Sequence, residues 1–342
     1  MTRRSPEAFP LDDQRVYDGY IQGRISAAMA VGVRLGLFDL LDEEPLTEPE
    51  LVERLGLAPR GARALCAALG AYGVLARDGE RWGLADDAAA YLVRGKPGSL
   101  WGLVDMEVEH FLSPAALLEA VRTGRPSVYG EADPWETHEA DPESARTFTA
   151  AMHSVSARPA AGFAEVAPLD GVQRMLDVGG GSGALSIAAV RANSGLSATV
   201  LDLPSVCELA REYAREAGLQ DRIDAVSGDM FGEPFPSGYD AVLLSQILHD
   251  WPPDRGRALL QSAYDALPPG GLVVVHEKFV NEADSAPMAN VLVHLDMLVW
   301  TEGQQLRPSE LERTLTEIGF RGFELRASSG YWSVASARKP TA

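Results

Sequence analysis

Sixteen residues near the middle of the chain, MLDVGGGSGALSIAAV from 175 to 190, constrain its fold more than any other stretch. A short apolar strand runs into glycines 179, 180, 181 and 183, then into a run with helical spacing. Four glycines in five residues exceed what a tight turn needs for packing. They let the backbone approach a ligand, and the helix start that follows favours a negative group. Such a strand, loop and helix belong to an α/β sheet that binds its ligand outside the carboxyl end of the first strand.

The residues that follow continue the alternation. Strands are predicted at RMLDVGG, ATVLDL, IDAVSGD, YDAVLLS and LVVVHEKF, with helices starting near Gly183, Ser205 and Asp254. Short β-branched runs separated by helical patterns imply a parallel, doubly wound sheet of the Rossmann-like kind. A helix through VLVHLDMLVW, another from Ser309 to Ile318, and two strands, FELRASS and YWSVASA, complete the α/β half.

Residues 11 to about 165 have a different pattern, mainly helical. The expected division is a helical domain over 1–165 and a catalytic α/β domain over 166–342. VYDGYIQGRISAAMAVGVRLGLFDLL has apolar residues at helical spacing, and its small residues Ala27, Ala28, Ala30, Gly32 and Gly36 admit a second helix closely. Thr47 is an N-cap with Pro49 and Glu50 in the first turn. A second helix follows, then a hairpin around Asp78-Gly79. Helix, turn, helix and hairpin make a winged-helix shape, which raises the question of DNA.

Charge answers that question. From Glu43 to Asp87 there are five arginines against nine acidic residues. A DNA reader needs a basic face, and the whole chain carries a net charge of −19, which repels nucleic acid and anionic membrane. No apolar run reaches the roughly 18 residues that span a bilayer, and the first residues lack the apolar core of a secretory signal. Cys66 and Cys207 form neither a CxxC pair nor a disulfide framework. A cytoplasmic enzyme for a small molecule is the expectation.

The ligand of the glycine loop is read from three carboxylates. Gly179, Gly181 and Ala184 satisfy a loose dinucleotide pattern, but Asp177, placed in the turn, would repel a pyrophosphate and suits the ammonium of a methionine moiety. Asp202 ends the second strand, where a carboxylate takes ribose hydroxyls. Asp229 ends the third, and with Met230 and Phe231 it makes a slot for adenine. Leu203 and Ser245 complete the candidate cofactor set, and the cofactor is S-adenosylmethionine. An NAD-dependent oxidoreductase and a catalytically dead scaffold are the rival readings.

DVGGGSG, VLDLP, GDMF, LHDW and LPPGG, in that order, resemble the plant-type and actinobacterial small-molecule O-methyltransferases over nearly the whole chain. The resemblance implies an intertwined homodimer through the helical half, and His249 of LHDW as the general base that takes a proton from a substrate hydroxyl. Two acidic residues flank that His in the family. Glu277 matches one; where the second is expected, the chain offers Gln304, Gln305 and Leu306, with Glu302 nearby.

That departure turns the expectation toward a subgroup that the chain also resembles, bacterial α-keto-acid C-methyltransferases. His249, Asp250 and His294 then form a two-histidine, one-carboxylate set for a metal such as iron or zinc, and Val299 fits the subgroup. The metal would chelate a 2-oxo acid and stabilise its enolate, leaving the β-carbon to be methylated. Arg125 would hold the carboxylate and Trp101 would lie over substrate or sulfonium; His110, Phe111 and Met152 are candidate pocket walls. O-methylation of a phenol or hydroxy acid by His249 is the alternative.

Overall fold

The structure is a computed structural model that describes residues 12–111, 114–128 and 141–341. Two compact units divide at Leu112 and Ser113. Among the described residues no helix is long and apolar enough to cross a membrane.

The first unit is mainly helical. α1 (Gln14–Leu35) ends where Gly36 turns left-handed, and α2 (Leu37–Glu43) follows at once. α3 (Glu48–Leu55) starts at Thr47, which forms a reciprocal capping box with Glu50, so two otherwise orphaned N–H groups are satisfied. α4 (Pro59–Tyr72) leads to strands β2 (Leu75–Asp78) and β3 (Arg81–Leu84), and the short β1 (Leu46–Thr47) pairs with β3. α5 (Asp86–Tyr91) and α6 (Trp101–Phe111) complete the unit. Its core joins Val33, Phe38, Leu51, Leu69 and Trp82. Gly32 serves this core: a Cβ there would meet the Phe38 ring at 2.7 Å, so the close approach expected for a partner helix is made by the chain's own phenylalanine. Val16, Tyr17, Tyr20 and Val31 remain exposed on α1.

The second unit opens with α7 (Pro114–Thr123) and the long α8 (Pro142–Val166). Its sheet contains β4 (Arg174–Val178), β5 (Ser197–Asp202), β6 (Ile223–Ser227), β7 (Ala241–Ser245), β8 (Leu272–Glu277), β9 (Arg321–Ala327) and β10 (Ser333–Arg338). The spatial order is β6-β5-β4-β7-β8-β10-β9, with β4 to β8 parallel and β10 antiparallel to both its neighbours. Helices α9 (Ala184–Ala192), α10 (Pro204–Glu216), α11 (Pro253–Ala266), α12 (Met288–Trp300) and α13 (Pro308–Ile318) complete the layers. Strand side chains alternate between two cores. Val242, Leu244, Val273 and Val275 pack with Leu259 and Leu311, while Ala241, Leu243 and Val274 pack with Phe163 and Leu185. The strand order departs in opposite directions from β4, and the crevice above β4 and β7 is where such sheets bind ligands.

Candidate active site

The glycine loop leaves β4 with Gly179, Gly181 and Gly183 all at positive φ (64°, 56° and 71°), a region that favours glycine. Asp177 is not in that turn. It is the fourth residue of β4 and almost wholly buried, with its carboxyl beneath Gly180. Its Oδ2 accepts from the Ser186 hydroxyl at 2.6 Å, while Oδ1 has no hydrogen-bond partner among the described residues. Burial pushes this carboxyl up to about 7, against the Ser186 bond and with the Asp202 charge adding to the rise.

Asp202 ends β5 and faces the loop. Its Oδ2 accepts from Gly181 N–H and its Oδ1 from Leu203 N–H, both at 2.8 Å. Asp229 lies two residues beyond the end of β6, where its Oδ1 accepts from Phe231 N–H. Met230 and Phe231 are half-buried against the core, and Phe231 meets Trp251 edge-on. Ser245 ends β7, and its hydroxyl lies 3.1 Å from His276 Nδ1. Asp177's unpartnered oxygen, the loop without side chains at 179–181 and the carboxylate of Asp202 fit a ligand with ammonium and ribose groups.

Beside the loop, β7 is followed by a strained residue. Gln246 takes φ 56° and a 3-10 turn over Leu248–Asp250 follows. A Cβ on Gly179 would lie 2.4 Å from Ile247 Cδ1, so the turn is packed directly on the glycine loop. Glu277, fully buried at the end of β8, receives Ile247 N–H at Oε1. Its Oε2 sits 3.0 Å from His249 Nδ1, an ion-pair contact that is off line for a hydrogen bond. His249 Nε2 is 3.6 Å from Asp250 Oδ1.

Burial alone would depress the His249 imidazole, but Glu277 and then Asp250 outweigh it and raise it to about 9. Asp250 is itself raised to about 6 by burial and Glu277, against the pull of His249. His276, one residue before Glu277, makes the contrast. It is equally buried but stacked on Trp332, and burial drives it down to about 3. Neighbouring charge, not depth, separates the two rings.

Two residues of this centre, Asp296 and Lys278, were not singled out from sequence, and Gln305 was named only as standing where an acid was expected. Asp296 on α12 is raised to about 6 by burial, while Lys278 and His249 oppose the rise. Lys278 lies over the Trp332 ring at 4.8 Å. Gln305 is buried with both amide atoms unpartnered among the described residues. Its segment is pressed on the backbone of the 3-10 turn: a Cβ on Gly303 would collide with the His249 carbonyl oxygen. Asp296 had a readable signal, a single acid inside the apolar VLVHLDMLVW.

The other expected residues with described side chains lie on α12, beyond α7, on α8 and in the first unit. His294 spends Nδ1 accepting from Gln305 N–H at 3.3 Å. Among the described residues, no three His, Cys, Asp or Glu side chains are grouped to hold a metal. His249, Asp250 and His294 are therefore not gathered into the three-ligand set expected of them. Val299 is buried, and its carbonyl accepts from Ser127 and Val128. Arg125 is exposed at the end of α7. Trp101 belongs to the first unit, where Arg94 covers its ring at 4.2 Å. Met152 is half-buried on α8, and the side chains of His110 and Phe111 lie outside the described residues.

The O-methyltransferase domain matches residues 115–321 and the O-methyltransferase dimerisation domain matches residues 19–94. The chain belongs to the O-methyltransferase family. It is a dimeric, S-adenosylmethionine-dependent class I enzyme acting on a small molecule, related to the actinobacterial and plant-type members. It is 38% identical to a 3-hydroxy-5-methyl-1-naphthoate 3-O-methyltransferase of Streptomyces sahachiroi, over 85% of this chain and 84% of that one. It is 34% identical to the tetracenomycin 8-O-methyltransferase of Streptomyces glaucescens, over 92% and 93%. Human N-acetylserotonin methyltransferase in complex with S-adenosylmethionine superposes with a TM-score of 0.85 at 25% identity, covering all of both chains.

These relatives overturn the α-keto-acid reading. Most of those found are O-methyltransferases of hydroxylated natural products. Two others, at 32% and 33% identity, are a tyrosine C(3)-methyltransferase and an N,N-dimethyltransferase. None of these is an α-keto-acid C-methyltransferase, and among the described residues no three ligand side chains are grouped for the metal that such chemistry was expected to use.

Proposed function

We propose that the enzyme methylates a hydroxyl group of an aromatic or hydroxy-acid natural product, with His249 as general base. The observation that carries this reading is the buried His249, raised by Glu277 and Asp250 and packed beside the glycine loop. Bound S-adenosylmethionine supplies an electrophilic methyl group on its sulfonium. Asp202 holds the ribose, Asp177 sets negative charge under the loop for the ammonium, and Asp229 with Met230 and Phe231 takes the adenine. Leu203 walls the site.

Glu277 faces Nδ1 of His249, which leaves Nε2 as the proton acceptor. A phenol ionises near 10. An imidazole raised to about 9 takes that proton across a nearly level step, the condition in which a general base works well. Asp250 and Glu277 stabilise the imidazolium that results. Asp296 and Lys278 offer the substrate one acceptor and one cation.

In the first unit, we read the helix–helix–hairpin order of residues 48–84 as a winged helix used structurally, and the exposed side chains of α1 as dimer contacts. By function the chain divides near 165 and 166, with the residues before it serving dimerisation and the pocket cap.

The test is turnover on a panel of hydroxylated aromatic acids and their methyl-blocked analogues, with the product structure solved by NMR. A new methyl ether supports the reading. A new carbon–methyl bond with the hydroxyl intact would overturn it.

A further inference from the structure

Between Gly179 and Gly183 the loop has one side chain by which it can be held, that of Ser182. Ser182 is buried, and its hydroxyl lies 2.7 Å from Nδ1 of His153 on α8. The His153 ring stacks on Tyr213 of α10, with centroids 4.1 Å apart and planes within 18°. One imidazole thus joins α8, the glycine loop and α10.

The helix that bears it is tied to its neighbours twice more. Arg146, two turns before His153, pairs with Glu212 of α10 at 2.8 Å. Ser156, one turn after, accepts from the side chain of Gln246 at 3.0 Å. These positions share one face of a 3.6-residue helix. Burial lowers the His153 imidazole below its ordinary value, with Glu216 opposing. The ring is neutral at neutral pH, and Nδ1 serves as acceptor or donor to the hydroxyl according to tautomer.

We propose that His153 is a positioning residue for the cofactor, clamping Ser182 so that the glycine loop keeps its ligand-ready shape, with Tyr213 fixing the plane of the clamp. The inference rests on the reading of this loop as the S-adenosylmethionine site. Glycines have the most backbone freedom to lose. A loop held in place before binding loses less of it when the ligand arrives, and gains affinity by that difference. The clamp therefore acts on cofactor affinity and leaves the proton transfer at His249 alone.

Two full-length variants separate the bond from the packing. His153→Phe keeps a ring against Tyr213 and loses the bond to Ser182. His153→Asn keeps a polar atom near the Nδ1 position and loses the stack. Calorimetry with S-adenosylhomocysteine should show His153→Phe weakened about three- to tenfold, the range of one hydrogen bond. KM for S-adenosylmethionine should rise in step, with kcat at saturation and KM for the methyl acceptor within twofold.

His153→Asn should recover most of the affinity. Ser182→Ala should match His153→Phe, and the double variant should be no worse than either, as expected for two partners of one contact. Asp202→Ala is the control on the underlying reading. If it weakens binding while His153→Phe does not, the clamp is wrong and the site stands; if neither changes, both fall. Equal loss in the Phe and Asn variants, tracking a common fall in Tm, would make His153 a packing residue and overturn the proposal.

Discussion

The two sides of the crevice are built on different principles. On the cofactor side, the groups come from strand ends and the few residues after them. Asp202 bonds the very next backbone N–H as well as the loop, and the surface offered is mostly glycine backbone. On the His249 side the groups converge from far apart: His249 and Asp250 after β7, Glu277 at the end of β8 with Lys278 next to it, Asp296 on α12, and Gly303 wedged against the turn. One side presents a shape and the other a field. Damage to the first should appear as lost affinity, and damage to the second as lost rate or a moved pH profile.

The largest expected effect tests the field. His249→Ala should lower kcat by roughly 10²–10⁴, the range for a lost general base, while calorimetry finds S-adenosylhomocysteine bound within twofold of wild type. Retention of a tenth of the activity would remove His249 from the chemistry. The shape is tested next by Asp202→Ala. Loss of bonds to a charged acceptor costs about 1–3 kcal/mol, or roughly 5- to 150-fold in affinity, with kcat at saturation held. A fall in kcat with unchanged affinity would erase the distinction between the two sides.

A third experiment sharpens the field itself. His249 acts deprotonated and sits above its ordinary value, so kcat/KM should climb with pH and level off above about 9. Glu277→Gln removes the stronger of the two raising charges and should move that limb to lower pH; Asp250→Asn should move it less. An unmoved limb in both variants would assign the titration to another group. Stability follows the same group with a definite sign. The protonated imidazole's contribution is full below 6.5 and lost as pH rises through about 9. The smallest effect belongs to His294→Ala, which should keep turnover within a few-fold, as should exhaustive chelation. Loss of activity in both would restore a metal to the centre.

The element order was readable because alternation with period 2 and helical spacing leave their mark on each residue in turn. All seven main-sheet strands fall on the predicted runs. Asp202 and Gly179 to Gly183 were equally legible, since a strand, a turn and a carboxylate at a fixed remove form a local pattern. Legibility failed where a role depended on a neighbour distant in sequence. Gly32 was read as facing a partner but seats Phe38, and Asp177 was read into a turn but lies within β4 beneath Gly180. His294 was read as a metal ligand because its type and helix were right. Which atom its nitrogen would meet, here Gln305 N–H, was invisible.

The sequence by itself determined the kind of sheet, the place of the glycine loop and the presence of a histidine after β7. These rest on backbone geometry, which is set within a few residues. Only the tertiary structure decided what that histidine is. The same side chain type, buried at both places, is held low at 276 and raised to about 9 at 249, because Trp332 faces one and the Glu277 and Asp250 carboxylates face the other. Electrostatic interaction in a low-dielectric interior depends on distance through space, and the fold alone sets that distance.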